Sequence, residues 1–254
     1  MNQTCSRKLF DHSILIIFTI FIAFLCSCKK DSNSAAHETG TLMDIDSNVY
    51  KTVKIGNQWW MAENLKVIRY SNGDSISNIG KRLDSAMWNK SESGTYYVGT
   101  IGTFYNYYAV ADTRNIAPAG WHIPSDAEWK ELEIYLGMNP SEADSVNWRG
   151  TDQGNKLKIQ GLGATVWTNP VNKYEVWGTN ESGFSAIGAG CVMFNGVEGI
   201  PGANSTGFWW TSSSWGNDAW YRYLDYNKPN VFRYFGAKTY GFSIRCVKNK
   251  NNNN

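Results

Sequence analysis

Hydrophobic and polar positions alternate with a strand-like period at both ends of the folded part of the chain and follow a helical period near its middle. Val49 to Ile55 is a β-like run. Gly56-Asn57 then supplies a turn that tolerates positive φ, and Gln58-Trp59-Trp60-Met61 follows, which predicts a β-hairpin. The one clear helix is predicted from Ser125. Pro124 stops any earlier helix, Ser125 and Glu128 form a capping box, and Trp129, Leu132 and Leu136 fall on one face. Gly137 ends it by accepting the left-handed conformation. A weaker helical turn is predicted from Ser141. Downstream, Trp220 to Tyr226 and Val231 to Phe235 flank the turn sequence Asn227-Lys228-Pro229-Asn230. Tyr240 to Val247 alternates, with Phe242, Ile244 and Cys246 on one face and Ser243, Arg245 and Val247 on the other, the pattern of a half-buried strand. Strands, a helix, an irregular Gly-rich middle and then antiparallel strands predict an α+β fold.

A different pattern opens the chain. Arg7 and Lys8 precede an apolar run from Ile14 to Leu25, with small residues after it, the layout of a secretory signal. The run is about a dozen residues, short of the roughly 20 that span a bilayer as a helix. Leu25-Cys26-Ser27-Cys28 resembles the lipobox of bacterial lipoproteins, whose cysteine is lipidated and becomes the mature N-terminus. Cys26 is the poorer lipid site, because Ala23, Phe24 and Leu25 put bulk before it. The resemblance implies a multiply acylated Cys28. Each buried methylene contributes roughly 0.8 kcal/mol, and more than one chain is needed for stable anchoring. Lys29 after the cysteine implies, by the same resemblance, the outer membrane or cell surface of a Gram-negative bacterium. Residues 1–27 are therefore expected to be a signal peptide, and residues 28–41, rich in Ser, Asn, Ala and Gly, a lipid anchor and flexible tether. Residues 42–248 are expected to form one domain, and residues 249–254 a low-complexity Asn-rich tail.

Composition narrows the partners. The chain carries a net charge of +2. Losing residues 1–27 removes Arg7, Lys8 and Asp11, leaving +1. No basic field exists to gather phosphates, so nucleic acid is not an expected partner. All 12 Trp lie beyond the signal segment, and 24 Gly accompany them, which suits a loop-rich extracellular module. Most of these rings are expected in the core, yet Trp and Tyr also suit sugar or protein recognition. Cys5, Cys26 and Cys28 belong to the export segment, so Cys191 and Cys246 remain, either as one disulfide or as two buried thiols.

Several blocks together resemble one family of exported bacterial modules. They are Asp44 to Tyr50, Val53 to Leu65, Tyr105 to Val110, Pro118 to Trp129, Gly183-Phe184-Ser185-Ala186 and the closing Gly241-Phe242-Ser243-Ile244-Arg245-Cys246-Val247. In this order they are similar to the Fibrobacter succinogenes major paralogous domain. That family looks related to the C-type-lectin-like fold shared with formylglycine-generating enzymes and some phage-variable binding proteins. The helix start Trp121-His122-Ile123-Pro124-Ser125 through Glu128-Trp129 is similar to theirs. The resemblance implies small twisted antiparallel sheets, one or two helices and long irregular binding loops. Gly190-Cys191-Val192 departs from the family pattern, which more often places an aromatic residue and Arg after the glycines.

Catalytic and metal chemistry find little to use. His122 is the one histidine of the domain, and it adjoins a helix cap, where packing or capping is the expected role. A structural zinc site needs about four Cys/His ligands. Cys191 and Cys246 are too far apart in sequence to match the close copper-binding cysteines of formylglycine-generating enzymes. Calcium is the one ion two segments bring to mind. Asp44-Ile45-Asp46-Ser47-Asn48 lacks the glycine and distal Glu of an EF-hand, so these aspartates are expected to shape a turn. Trp215-Gly216-Asn217-Asp218 resembles the Trp-Asn-Asp of calcium-dependent lectins with a glycine inserted, but its partner tripeptide is missing. No metal, cofactor or catalytic residue is therefore assigned.

The stretch Trp209 to Tyr223 is the expected ligand surface: Trp209, Trp210, Trp215, Asn217, Asp218, Trp220 and Arg222. Rings stack on sugar faces or fill partner pockets, and polar neighbours fix orientation. Strand alternation is expected to bury about half of the rings. The leading expectation is a non-catalytic, membrane-anchored binding or adhesion module for a glycan or protein. An extracytoplasmic glycan-degrading enzyme and a structural envelope protein are the alternatives.

Overall fold

The computed structural model describes residues 37–78, 88, 93–99, 101–160, 167–171, 178–193 and 202–250. The signal segment, Cys28, most of the expected tether and residues 251–254 lie outside these residues. Among the described residues no helix is long and apolar enough to cross a membrane.

The architecture is mostly antiparallel sheet with a few short helices, α+β in kind. One sheet has the order β1-β2-β3-β12-β7, a second β8-β11-β10-β9 and a third β4-β5-β6. The first is built from β1 (Thr39–Met43), β2 (Val49–Ile55), β3 (Gln58–Met61), β7 (Trp121–His122) and β12 (Val247–Lys248). The predicted hairpin is β2–β3, closed with Ile55 opposite Gln58. The second sheet holds β8 (Asn147–Arg149), β9 (Thr206–Trp215), β10 (Asp218–Asp225) and β11 (Val231–Ala237). The third holds β4 (Ser77–Asn78), β5 (Thr95–Val98) and β6 (Thr103–Tyr105).

The predicted helix is present as Asp126–Tyr135, with Ser125 as its N-cap and a complete capping box to Glu128. Gly137 follows at φ 100, the left-handed conformation expected of a helix stop. A four-residue helix, Pro140–Ala143, stands where the weaker turn was expected.

Two expectations about the chain path are corrected. Thr39–Thr41 was read as the end of the tether and instead opens an edge strand, Thr39–Met43, with Thr39 opposite Val53 and Met43 opposite Val49. Its side chains are mostly exposed, so backbone pairing forms the strand and no hydrophobic pattern announces it. The second correction concerns Tyr240 to Val247, which is not a half-buried strand. Gly241 through Val247 are all buried, both alternating sets together. The segment changes partners at almost every step. Phe242 bridges Tyr105, Ser243 bridges Trp209, Ile244 O accepts Leu65 N–H, and Cys246 O accepts Met61 N–H. Only Val247–Lys248 is regular strand.

The second sheet divides the aromatic interior. β9 sends Phe208 and Trp210 into one hydrophobic cluster with Tyr50, Tyr105 and Phe242. It sends Trp209 into another with Trp60, Trp129, Trp167 and Phe184. Burying each large side chain contributes roughly 1.5–3 kcal/mol relative to exposure. The long helix is fixed to this sheet by buried charge. Arg222 Nη1 and Arg233 Nη2 each donate to Asp126 at 2.8 Å, and Arg222 Nε and Arg149 Nη2 donate to Glu133 at 2.7 and 2.6 Å. Asp126, Trp129 and Glu133 lie at i, i+3 and i+7, so one helical face presents both acids and a ring to the sheet.

Candidate binding surface

The residues expected to bind ligand divide according to their place on the β9–β10 hairpin. Trp209 and Trp210 are buried in its base, where Trp209 Nε1 donates to Asn64 Oδ1 at 3.0 Å and Trp210 Nε1 donates to Tyr105 O at 2.9 Å. Arg222 is fully buried in its ion pairs with Asp126 and Glu133. Trp220 is buried under the Arg233 guanidinium, 3.8 Å above its ring. These four are structural, and their assignment to a ligand surface is corrected. Both faces of the hairpin base meet protein, so alternation there leaves only the half-buried Tyr223 ring partly open to solvent.

The tip differs. Trp215 is 56% exposed and faces Asp218 across a two-residue turn, Gly216-Asn217. Gly216 has φ 58, a value that favours glycine. The Trp215 ring packs edge-on against Trp220 at 5.4 Å and lies 6.0 Å from Phe235, so it is propped from below and open above. Asn217 is exposed and Asp218 half-buried. Lys238 Nζ donates to Gly216 O at 3.1 Å and steadies the turn. The polar residues before the tip are partly committed inward: Ser213 Oγ accepts Asp126 N–H at 3.0 Å, and Ser212 N–H donates to Pro124 O at 2.8 Å. The hairpin base is thereby fastened to the helix start, and the tip projects from a rigid support.

The remaining expected sites are also placed. Cys191 and Cys246 are two buried thiols with no disulfide between them. Burial pushes the Cys191 thiol up to about 12 and that of Cys246 higher still. His122 adjoins the helix cap: Nε2 lies 2.8 Å from Glu128 Oε1, and Nδ1 lies 2.6 Å from Asn249 Oδ1. Burial works against the Glu128 charge, but hydrogen bonds from Ser125 and His122 hold its carboxyl below the ordinary range. Asn249, read as the start of the tail, is tied to the domain by that contact and by its N–H to Gly120 O. Asp44 shapes a turn, accepting Asp46 N–H and Asn48 N–H at 2.9 Å and the Tyr50 hydroxyl at 2.6 Å. Asp46 accepts Ile68 N–H and Arg69 Nε. Among the described residues no group of three or more His, Cys, Asp or Glu is placed to hold a metal ion.

A cleft of about 560 Å³ lies elsewhere, between the segment Ala62–Lys66 and the turn joining β5 to β6. Sequence reasoning missed it, because its wall comes from six separated stretches and no local motif marks it.

A family model for the Fibrobacter succinogenes major domain matches residues 53–248. The chain belongs to that family. The matched span of this Fibrobacter succinogenes major domain runs from within β2 to the end of β12, and so includes the hairpin tip and every described lining residue of the cleft except Lys51. No curated protein and no solved structure matches it.

Proposed function

We propose that this protein is an exported, lipid-anchored binding module, held at the outer membrane or cell surface through Cys28, with the β9–β10 tip as its ligand surface and a glycan as its ligand. The observation that carries the reading is Trp215, a 56% exposed ring propped on Trp220 and Phe235 beside Asn217 and Asp218. An exposed indole offers a flat apolar face to a pyranose ring, while a nearby amide and carboxylate fix hydroxyl orientation. Calcium bridging by Asn217 and Asp218 is a variant of the same reading. We read the architecture as C-type-lectin-like. Support comes from the small antiparallel sheets, the capped helix at Ser125 and the buried closing segment Gly241–Val247.

Hydrolysis of glycosidic bonds uses a pair of carboxylates. Among the described residues the large cleft is lined by one, Glu63, which supports binding over turnover.

A glycan array probed with the purified full-length chain, with calcium and with chelator, tests the ligand. Binding is expected and should fall at least about tenfold in Trp215→Ala, as truncated hot-spot aromatics cost roughly 2 kcal/mol or more. Equal binding by wild type and Trp215→Ala would move the ligand away from the tip. Signal that survives chelation would remove the calcium variant. Anchoring is tested separately: Cys28→Ala should abolish incorporation of a labelled fatty acid and release the protein from membranes.

A further inference from the structure

The large cleft differs in chemistry from the hairpin tip. Its apolar walls are aliphatic, formed by Val98, Ile101, Ile159 and Ile187, and no aromatic ring is among its described lining residues. It therefore offers a sugar nothing to stack on. Its volume of about 560 Å³ lies within the roughly 300–1,000 Å³ range of small-ligand sites. Its charge is unbalanced: Lys51, Lys66 and Arg245 line it against the single carboxylate of Glu63. Glu63 Oε2 is itself engaged by Lys51 N–H at 2.6 Å.

Arg245 is the informative member. It lies at the cleft at 1% exposure, its guanidinium 4.2 Å from the Phe184 ring centroid. Nε donates to Asn64 Oδ1 at 2.9 Å, Nη2 to Ser185 O at 2.8 Å, and Nη1 to Phe184 O. All three acceptors are neutral. Among the described residues no carboxylate lies within ion-pair distance of it, in contrast to the other buried arginines Arg149, Arg222 and Arg233. A buried charge without a counter-charge is costly, and the cost is relieved when an anion arrives. Burial accordingly pulls Arg245 down to about 9, with Glu63 working against that shift. The side chain still carries its charge at neutral pH. Lys51 and Lys66 are exposed and are placed to draw an anion in.

We propose that this cleft binds a carboxylate borne on a branched aliphatic body, the chemistry presented by the C-terminal residue of a peptide ending in Val, Ile or Leu. The carboxylate lies toward Arg245 and the lysines, and the aliphatic group lies against Ile101 and Ile187. A free branched-chain acid shares this chemistry, and the experiment separates the two.

The purified full-length chain is titrated with a fluorescent hexapeptide ending in Val-Ile, with its C-terminally amidated twin and with isovalerate as competitor. The free-acid peptide should bind and the amidated peptide at least about tenfold more weakly, the loss expected for a charge-assisted hydrogen bond. Lys51→Glu with Lys66→Glu should weaken the free-acid peptide by a similar factor. Both lysines are exposed, so this variant should retain the wild-type circular dichroism and melting curve. Ile101→Asp should abolish binding, whereas Trp215→Ala should leave it unchanged. If isovalerate binds and the peptide does not, the free acid is the source. Equal binding of the two peptides, insensitivity to the lysine reversal, or no binding of any carboxylate at millimolar concentration would overturn the proposal. None of these results depends on whether the hairpin tip binds a glycan.

Discussion

Arg222 and Arg245 are both all but closed to solvent, at 0% and 1% exposure, and the fold treats their charges in different ways. Around Arg222 the protein supplies its own anions: Asp126 and Glu133 on the long helix, shared with Arg149 and Arg233. Around Arg245 it supplies an amide oxygen and two backbone carbonyls. The first arrangement is closed and joins helix to sheet. The second lies at a cleft and is open to an anion from outside. Burial by itself does not separate a structural charge from a functional one. Whether the counter-charge is already present does.

The contrast can be broken most decisively at Asp126. Asp126→Asn strips a carboxylate from two buried arginines and should cost about 3–5 kcal/mol, read by denaturant unfolding. Acid should reach the same region. Burial pushes the Asp126 carboxyl up, but hydrogen bonds from Arg233 and the charge of Arg222 outweigh it and hold the carboxyl well below its ordinary range. The native value is thus depressed, so the stability it confers is complete above the unfolded value of about 3.9 and is lost as pH falls toward the native one. Unfolding free energy should drop below about pH 4, and less steeply in Asp126→Asn. Arg245→Met should be milder, about 1–3 kcal/mol, because it orphans neutral acceptors and no buried ion. A loss equal to that of Asp126→Asn would erase the distinction. The smallest effect belongs to Lys51→Glu with Lys66→Glu, expected within about 0.5 kcal/mol of wild type by thermal melting.

What the sequence disclosed follows from how local each signal is. The helix from Ser125 and the β2–β3 hairpin rest on neighbours within a few positions, and both stand where the pattern put them. The turn at Gly216-Asn217 that exposes Trp215 was not predicted, although a Gly-Asn pair between two aromatic runs is a local signal of the same kind. Trp209, Trp210 and Arg222 were misread because alternation assigns faces and not burial. When a sheet lies between two cores, both faces are interior. Arg245 was misread in the same way, as the outward side of a half-buried strand. The cleft was invisible because residues from Lys51 to Arg245 meet only once the chain has folded. Asp126 and Glu133 did leave a trace. Two acids share a helical face with Trp129, and that spacing asks for cations opposite.

The place of β12 has a bearing on biosynthesis. Val247–Lys248 is an interior strand of its sheet, pairing with Trp60 on one side and with His122 and Trp121 on the other. β7 therefore joins β3 only through residues near the far end of the described chain. A nascent polypeptide cannot finish this sheet until residue 248 has been delivered. The β2–β3 hairpin waits with an unpaired β3 edge until then. A late-arriving interior strand of this kind makes closure of the sheet one of the last steps of folding, so the β3 edge and β7 are joined together rather than one at a time.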